Sequence, residues 1–418
     1  MVPKVLDHQK HELSGGTTIL ARPLDSNDIV TVYAALPMGA LYEADDEAGI
    51  SQLLQSVLPR GTARRSANAF QDRLAELGAE LDASAGTDVG SVTLKATAAT
   101  WEPAAELFLE ALTEPAFPED EVASEVEQTL GALEAREDEL MTRALDLFRE
   151  VFYGDHPYHK PAIGYRETVR EVDRDQVLAA AHRFYRPTPP VVTAVGRFDI
   201  DRLLAMFEST LGPLPTGPPR ARPPAAEPGG GTERIALDRD AAYLVYGFPA
   251  PDYTHPDYPI ARLIDAVLGG SMSSRLFIEL REKRSLAYQV STLYSDRLDG
   301  SFLAGYIVTD PDRVEEAARG LAAEFSRIVT EPIGADELSA AKHYLQGRFL
   351  LGVETNMAQA SRLAAYEVYG LGHDFGDKWM AEVQSVTAEQ VRAVVERWLT
   401  GSPTCAWVVR TGTPEFEL

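Results

Sequence analysis

The sequence predicts an α+β fold built as two homologous halves. Helical and strand patterns are intermixed without regular strand–helix alternation, and no Gly-rich phosphate loop follows a strand. That pattern argues against a doubly wound nucleotide-binding sheet. Short matches also recur in order. Thr113-Glu114-Pro115 returns as Thr330-Glu331-Pro332, 217 residues on, and Gln176-Val177 returns as Gln390-Val391, 214 residues on. Phe184 and Pro189 line up with Trp398 and Pro403 at the second offset. The period is far too long for a solenoid. Finally, residues 212–232 hold seven prolines and five glycines in 21 positions. Without apolar periodicity this stretch reads as an extended, semi-rigid tether. The expected domains are therefore 1–211 and 233–418, with the tether between them.

Composition narrows the class. The chain has 418 residues, 45% hydrophobic and 25% charged, with a net charge of −25. This is the profile of a globular protein with room for two or three domains. A nucleic-acid partner would need a concentrated basic patch against that field, and the sequence has none. No run approaches the roughly 18 apolar residues of a membrane span. The opening MVPKVLDHQKHELSGG lacks an apolar core after its charges, so a cytoplasmic location is expected. The single cysteine, Cys405, excludes an intrachain disulfide and a Cys-rich zinc site. It precedes the apolar run AWVV and reads as a core residue.

In the first half, residues 16–36 read as two strands, GTTILARP and IVTVYAAL, either as a hairpin or as neighbours. A helix over 48–58 places Ile50, Leu53, Leu54, Val57 and Leu58 on one face. Pro59 and Gly61 end it. Its other face carries Ser51, Gln52, Gln55 and Ser56. A helix over 69–83, a strand over 89–97 and a helix over 100–112 follow. A long helix is expected from about 120 to 152, then a helix over 173–184 and a strand over 190–196. His8 and His11 form a His-x-x-His pair in a segment open to fraying, where solvated histidines are the favoured reading. In the second half, strands are expected over 243–248 and 302–308, and helices over 256–268, 311–329 and 336–351.

The stretch 269–288, GGSMSSRLFIELREKRSLAY, carries the candidate chemistry. Its glycines break the preceding apolar run, and Ser273 or Ser274 can cap a new helix. Leu276, Phe277 and Leu280 give that helix an apolar face. From Leu286 the period changes to two, with Leu286, Tyr288 and Val290 on one side. Arg281 thus sits near a helix end and Tyr288 near a strand start. A guanidinium and a phenol held together suit a carbonyl oxygen that gains charge during acyl transfer. On the residues alone, a surface arginine and a half-buried core tyrosine remain the alternative. GGSMSS lacks the Lys-Ser/Thr pair of a phosphate loop.

The run GGSMSSRLF…LREKRSLAY resembles a signature in the second half of the insulinase-like, or pitrilysin-like, zinc peptidases. These are inverzincins, whose first half carries His-x-x-Glu-His. The resemblance implies two α+β halves, each a mostly antiparallel sheet with helices packed on one side. It also implies that Arg281 and Tyr288 bind the substrate carbonyl. GISQLLQSVLPRGT, residues 49–62, lines up with a family segment of the form GLxHLLEHxxFKGT. The family's zinc-ligand positions then fall on Gln52 and Ser56, and its general base on Gln55. The third ligand position falls in GALEARED at Gly131 or Ala132, with Glu134 near but outside it. Zinc takes imidazole, thiolate or carboxylate ligands, and an amide cannot accept a proton from water. No metal or other cofactor is expected in this chain. YGDHPYHKPAIG, with His156 and His159, also resembles the family, there as a structural loop.

The implied role is that of a noncatalytic subunit, similar to the alpha-type subunits of mitochondrial processing peptidases. A His-x-x-Glu-His homologue would be the partner supplying zinc, and a peptide would be the substrate. A homodimer is the alternative assembly for the chain alone. The competing reading is a peptidase-like scaffold or peptide-binding protein with no part in proteolysis. An independent hydrolase is disfavoured, since no Gly-x-Ser-x-Gly elbow or ordered triad is present.

Overall fold

The computed structural model describes residues 6–185, 188–214, 220–416 and 418. Residues 215–219 of the expected tether lie outside them. The chain forms two compact units, each discontinuous in sequence. Unit 1 comprises Met1–Ala135, Lys160–Pro223 and Leu350–Phe375, and unit 2 comprises Arg136–His159, Pro224–Phe349 and Gly376–Leu418.

Unit 1 is built on six strands: β1 (Gln9–Glu12), β2 (Thr18–Pro23), β3 (Ile29–Leu36), β4 (Glu80–Ala85), β5 (Gly90–Thr97) and β6 (Val191–Gly196). Their order is β1-β2-β6-β3-β5-β4. Only β2 and β6 pair in parallel. The strands β2 and β3 are therefore neither a hairpin nor direct neighbours. The apolar strand VVTAVG enters between them, a long-range pairing that local pattern does not reveal.

Alternation along β3 decides what covers each face. Val30, Val32, Ala34 and Leu36 join the main core with residues of the helices Ile50–Val57, Ala67–Glu76, Trp101–Thr113 and Ile200–Leu211. Tyr33 and Ala35 face the other way, against Ala360 and Ala364 of the helix Asn356–Val368.

Two expected helices change. The one over 69–83 ends at Glu76, because Gly78 takes the left-handed φ of 59° and turns the chain. The following ELDASA is β4, with Leu81 and Ala85 buried. The long helix over 120–152 is two helices, Glu119–Glu137 and Leu140–Tyr153. The first gives Val122 and Leu133 to the core of unit 1. The second folds into unit 2.

His11 of the His-x-x-His pair lies on β1, paired antiparallel with β2, and His8 immediately precedes that strand. His8 meets His373 edge-on at 4.6 Å, and its Nδ1 lies 2.6 Å from the Leu6 carbonyl oxygen. Burial, reinforced by His373 and Arg22, holds the His8 imidazole below its usual range despite the Leu6 bond and Asp7. A histidine lowered in this way favours folding above the unfolded-state pKa of about 6.5. Below that pH the unfolded chain takes up the proton first. Protection factors of the β1 amides are therefore expected to fall as pH drops below about 6.5, and His8→Phe to flatten that fall.

Unit 2 is built on β7 (Gly231–Leu237), β8 (Ala242–Pro249), β9 (Gln289–Tyr294), β10 (Phe302–Thr309) and β11 (Thr404–Arg410). Their order is β7-β11-β8-β10-β9, with only β7 and β11 parallel. This repeats β2-β6-β3-β5-β4 strand for strand. Thr113 and Thr330, aligned from sequence, end corresponding helices, Trp101–Thr113 and Val314–Thr330. The expected tether already becomes strand at Gly231. Cys405 is buried on β11, and burial pushes its thiol up to about 11.

The helix Leu140–Tyr153 packs on β7, β8 and β11. Phe148 and Phe152 meet Phe302 at 4.9 and 5.3 Å, and the Tyr153 hydroxyl donates to the Gly300 carbonyl at 2.8 Å. Leu140–Tyr153 and Asn356–Val368 hold the same place in their halves' element order. Each half thus lends one helix to the unit built mainly from the other. The fold is α+β, in two related halves with mostly antiparallel sheets. Among the described residues, no helix is long and apolar enough to cross a membrane.

Candidate functional site

In unit 1 the helix Ile50–Val57 begins after Gly49, whose φ is 96°. A Cβ there would lie 2.6 Å from the Ile163 carbonyl oxygen, so only glycine fits. The buried Glu43 carboxylate accepts from the Gly49 and Ser51 amides at 2.9 and 2.8 Å, capping the helix. Lys160 donates to the Glu43 carbonyl at 2.6 Å. Burial raises the Glu43 carboxyl above its ordinary range, against the helix amides that stabilise its charge.

Three polar side chains of this helix, Gln52, Gln55 and Ser56, are engaged. Gln52 Oε1 accepts from the Ala85 amide at the end of β4, at 2.8 Å, and its Nε2 lies 3.4 Å from Ser56 Oγ. Gln55 is fully buried. It accepts from the Tyr185 hydroxyl at 2.6 Å and approaches Met38 Sδ at 3.4 Å. Ala132 and Glu134 are exposed on the helix Glu119–Glu137. Two amides and a hydroxyl, held by the fold, are not a zinc donor set. Among the described residues no group of three or more His, Cys, Asp or Glu is placed to hold a metal ion. Zinc does not fit these positions.

Gln55 has a structural use that sequence reasoning missed. Gln55→Leu strands the buried Tyr185 hydroxyl and is expected to cost about 1–3 kcal/mol. Adding Tyr185→Phe is expected to restore most of that loss in a thermal melt.

In unit 2 the signature stretch leaves the helix Tyr258–Gly269 and returns as β9. Between them, Phe277–Lys283 is a π-helix, a conformation frequent at functional sites. Leu276 and Leu280 are buried, as the apolar face requires. Ser285 then takes φ 48°, and the Leu286 amide donates to the Leu280 carbonyl at 2.8 Å. The strand begins at Gln289 rather than Leu286, because this turn intervenes. Tyr288 precedes it, its amide donating to the Val308 carbonyl at 2.8 Å and its side chain 57% exposed.

Arg281 is exposed, with its guanidinium 5.0 Å from the Phe277 ring. Its cationic neighbours are paired: Arg275 bidentate to Glu337, Lys283 to Glu279, and Arg284 to Glu316. The Arg275 guanidinium lowers the Glu337 carboxyl below its ordinary range. Among the described residues the Arg281 guanidinium has no hydrogen-bond or ion-pair partner. The π-helix and the Ser285 turn were not legible in the sequence.

Two related α+β halves thus carry, in the first, a helix whose polar side chains are amides and hydroxyls and, in the second, this helix–turn–strand. Residues 19–165 match the family model for insulinase, peptidase family M16, and residues 171–345 match that for the peptidase M16 inactive domain. The two matches together span more than half of the chain, and the protein belongs to the insulinase-like M16 peptidase family.

An uncharacterized zinc protease of Mycobacterium tuberculosis is 27% identical over 93% of this chain and 90% of its own length. One from Streptomyces coelicolor is 28% identical over 94% and 87%. In fold, the structure is similar to the crystal structure of a peptidase M16 inactive domain from Pseudomonas fluorescens. The TM-score is 0.90 at 23% identity, covering 98% of this chain and 100% of that one. A protease from Helicobacter pylori gives 0.89 at 20% identity, over 96% and 99%.

Proposed function

We propose that this chain is the noncatalytic, substrate-binding subunit of a heterodimeric zinc-dependent peptidase of the cytoplasm. A homologous partner with an intact His-x-x-Glu-His supplies zinc, water and base. Arg281 and Tyr288 bind the scissile carbonyl of the peptide and stabilise the charge that develops on its oxygen. The observation that carries this reading is the contrast between the two sets of positions. Gln52, Gln55 and Ser56 are tied into the fold, whereas Arg281 is an exposed cation with no carboxylate partner among the described residues, set among paired neighbours on the same segment as an exposed Tyr288. Leaving two large donors unpaired adds nothing to stability and suits a ligand.

The test is peptide cleavage by a zinc-bearing homologue with and without this chain, with zinc content measured on each sample. The expected result is an inert, zinc-free chain that raises the partner's turnover. A chain that binds zinc and cuts peptide alone would overturn the reading. A chain that is inert and ignored by the partner would instead make it a peptidase-like scaffold. That alternative is favoured by the match of residues 171–345 to a domain described as inactive.

A further inference from the structure

The helix Tyr258–Gly269 has a counterpart in the first half. Ile50, Leu53, Val57 and Leu58 return as Ile260, Leu263, Val267 and Leu268, each 210 residues on. At that offset Gln52 and Gln55 fall on Arg262 and Asp265. The second-half equivalents of one ligand position and of the general-base position therefore hold a guanidinium and a carboxylate on one helix face, while Ser56 falls on Ala266.

Both are largely buried in unit 2, their side chains 21% and 14% exposed. Arg262 Nη1 lies 3.6 Å from Asp265 Oδ2 and 3.4 Å from Asp296 Oδ2, and its guanidinium stands 4.9 Å from the Tyr294 ring. Tyr258 donates its hydroxyl to Asp296 Oδ1 at 2.7 Å. Asp265 Oδ1 accepts from the Thr292 hydroxyl at 2.6 Å. Arg262 Nε is buried without a hydrogen-bond partner. Burying these charges is costly, and apolar side chains of similar volume would hold a helix to a strand at least as well. What directional polar contacts add is a defined register, and the place where they act needs one.

Thr292 lies on β9, an edge strand paired only with β10 and so anchored from one side. It stands four residues after Tyr288. Beside it, the Ser291 hydroxyl donates to the Gly269 carbonyl at 2.8 Å, and a Cβ on Gly269 would lie 2.3 Å from the Thr292 amide nitrogen. The signature stretch departs at Gly269 and comes back along β9, so its two ends are clasped together. Unit 1 makes the matching helix-to-edge contact with a neutral amide, Gln52 to the Ala85 amide of β4.

We infer that Arg262, Asp265 and Thr292 form a clamp that closes the segment 269–292 and positions the Arg281 and Tyr288 side chains. The consequence for turnover rests on the carbonyl-binding role proposed above, but the clamp itself is testable in the full chain alone. Thr292→Val keeps the side-chain shape and removes the bond to Asp265.

The Leu286 and Tyr288 amides, which donate to the Leu280 and Val308 carbonyls, are expected to exchange about tenfold faster in Thr292→Val while the amides of β8 and β11 keep their protection. Thr292→Ser should restore slow exchange. Unchanged exchange at both amides overturns the clamp. Should Thr292→Val fail to fold, Ser291→Ala, which removes the bond to the Gly269 carbonyl, is read in the same way. In the assembled peptidase, Thr292→Val is expected to lower kcat with KM held, and to add no further loss to Tyr288→Phe. Full additivity of the two losses would count against positioning. If exchange quickens while neither variant alters turnover, the clamp stands and the carbonyl-binding role falls.

Discussion

Arg281→Ala is expected to slow peptide cleavage by the assembled complex by about 10²–10³-fold, the usual loss for one donor to a developing oxyanion. Tyr288→Phe removes the other donor and should cost the same order. Neither side chain is a support of the fold. The Arg281 guanidinium rests on the Phe277 ring of its own helix, and Tyr288 is largely exposed. The melting temperature should therefore stay close to that of the parent, as for surface substitutions in general, within about 0.5 kcal/mol. Arg275→Ala is the control. It breaks a bidentate pair with Glu337 six residues earlier in the same segment. It should lower stability while leaving cleavage largely intact. Turnover measured beside thermal melts decides, and unchanged turnover in both Arg281→Ala and Tyr288→Phe would remove this role.

Phe148→Ala is expected to destabilise unit 2 by about 3–5 kcal/mol, the range for deleting a buried aromatic ring. Phe148 is fully buried, 5.7 Å from Phe152 and 4.9 Å from Phe302. At roughly 2–4 °C per kcal/mol for a unit of this size, the melt should shift by roughly 6–20 °C. Its location tells more than its size. Phe148 belongs to the first half of the sequence, yet hydrogen exchange should report the loss in β8, β10 and β11 while β3, β5 and β6 keep their protection. Loss confined to unit 1 would contradict the helix exchange.

Local patterning made much of this readable. The helix Ile50–Val57 carries its apolar residues at helical spacing, and the paired Thr-Glu-Pro and Gln-Val matches mark equivalent elements. Other features were hidden for identifiable reasons. ELDASA continues the apolar spacing of the helix before it, and only the conformation of Gly78 separates the two. The helices flanking Asp138 and Glu139 read as one because amphipathic periodicity records that a face is buried, not which core buries it. Insertion of β6 between β2 and β3 is a pairing across more than 150 residues (Val191 with Thr18) that no window of sequence contains. At the candidate site, the sequence singled out Arg281, Tyr288 and the amides Gln52 and Gln55; the structure exposes the first two and ties the amides into hydrogen bonds. Arg262 and Asp265 carry no signal in the sequence beyond opposite charges three residues apart, because their partners Thr292 and Asp296 come from a separate strand and the loop after it.

The lending of one helix by each half bears on synthesis. The body of unit 1 is complete in sequence at Pro223, but its last segment runs from Leu350 to Phe375. At roughly 5–20 residues per second, the intervening 375 − 223 = 152 residues take roughly 8–30 s to emerge. Throughout that interval the nascent sheet lacks the cover for Tyr33 and Ala35. A chain interrupted after its first half would leave the ribosome with an apolar face that it has no residues left to close, and so as a substrate for chaperones rather than a stable fragment.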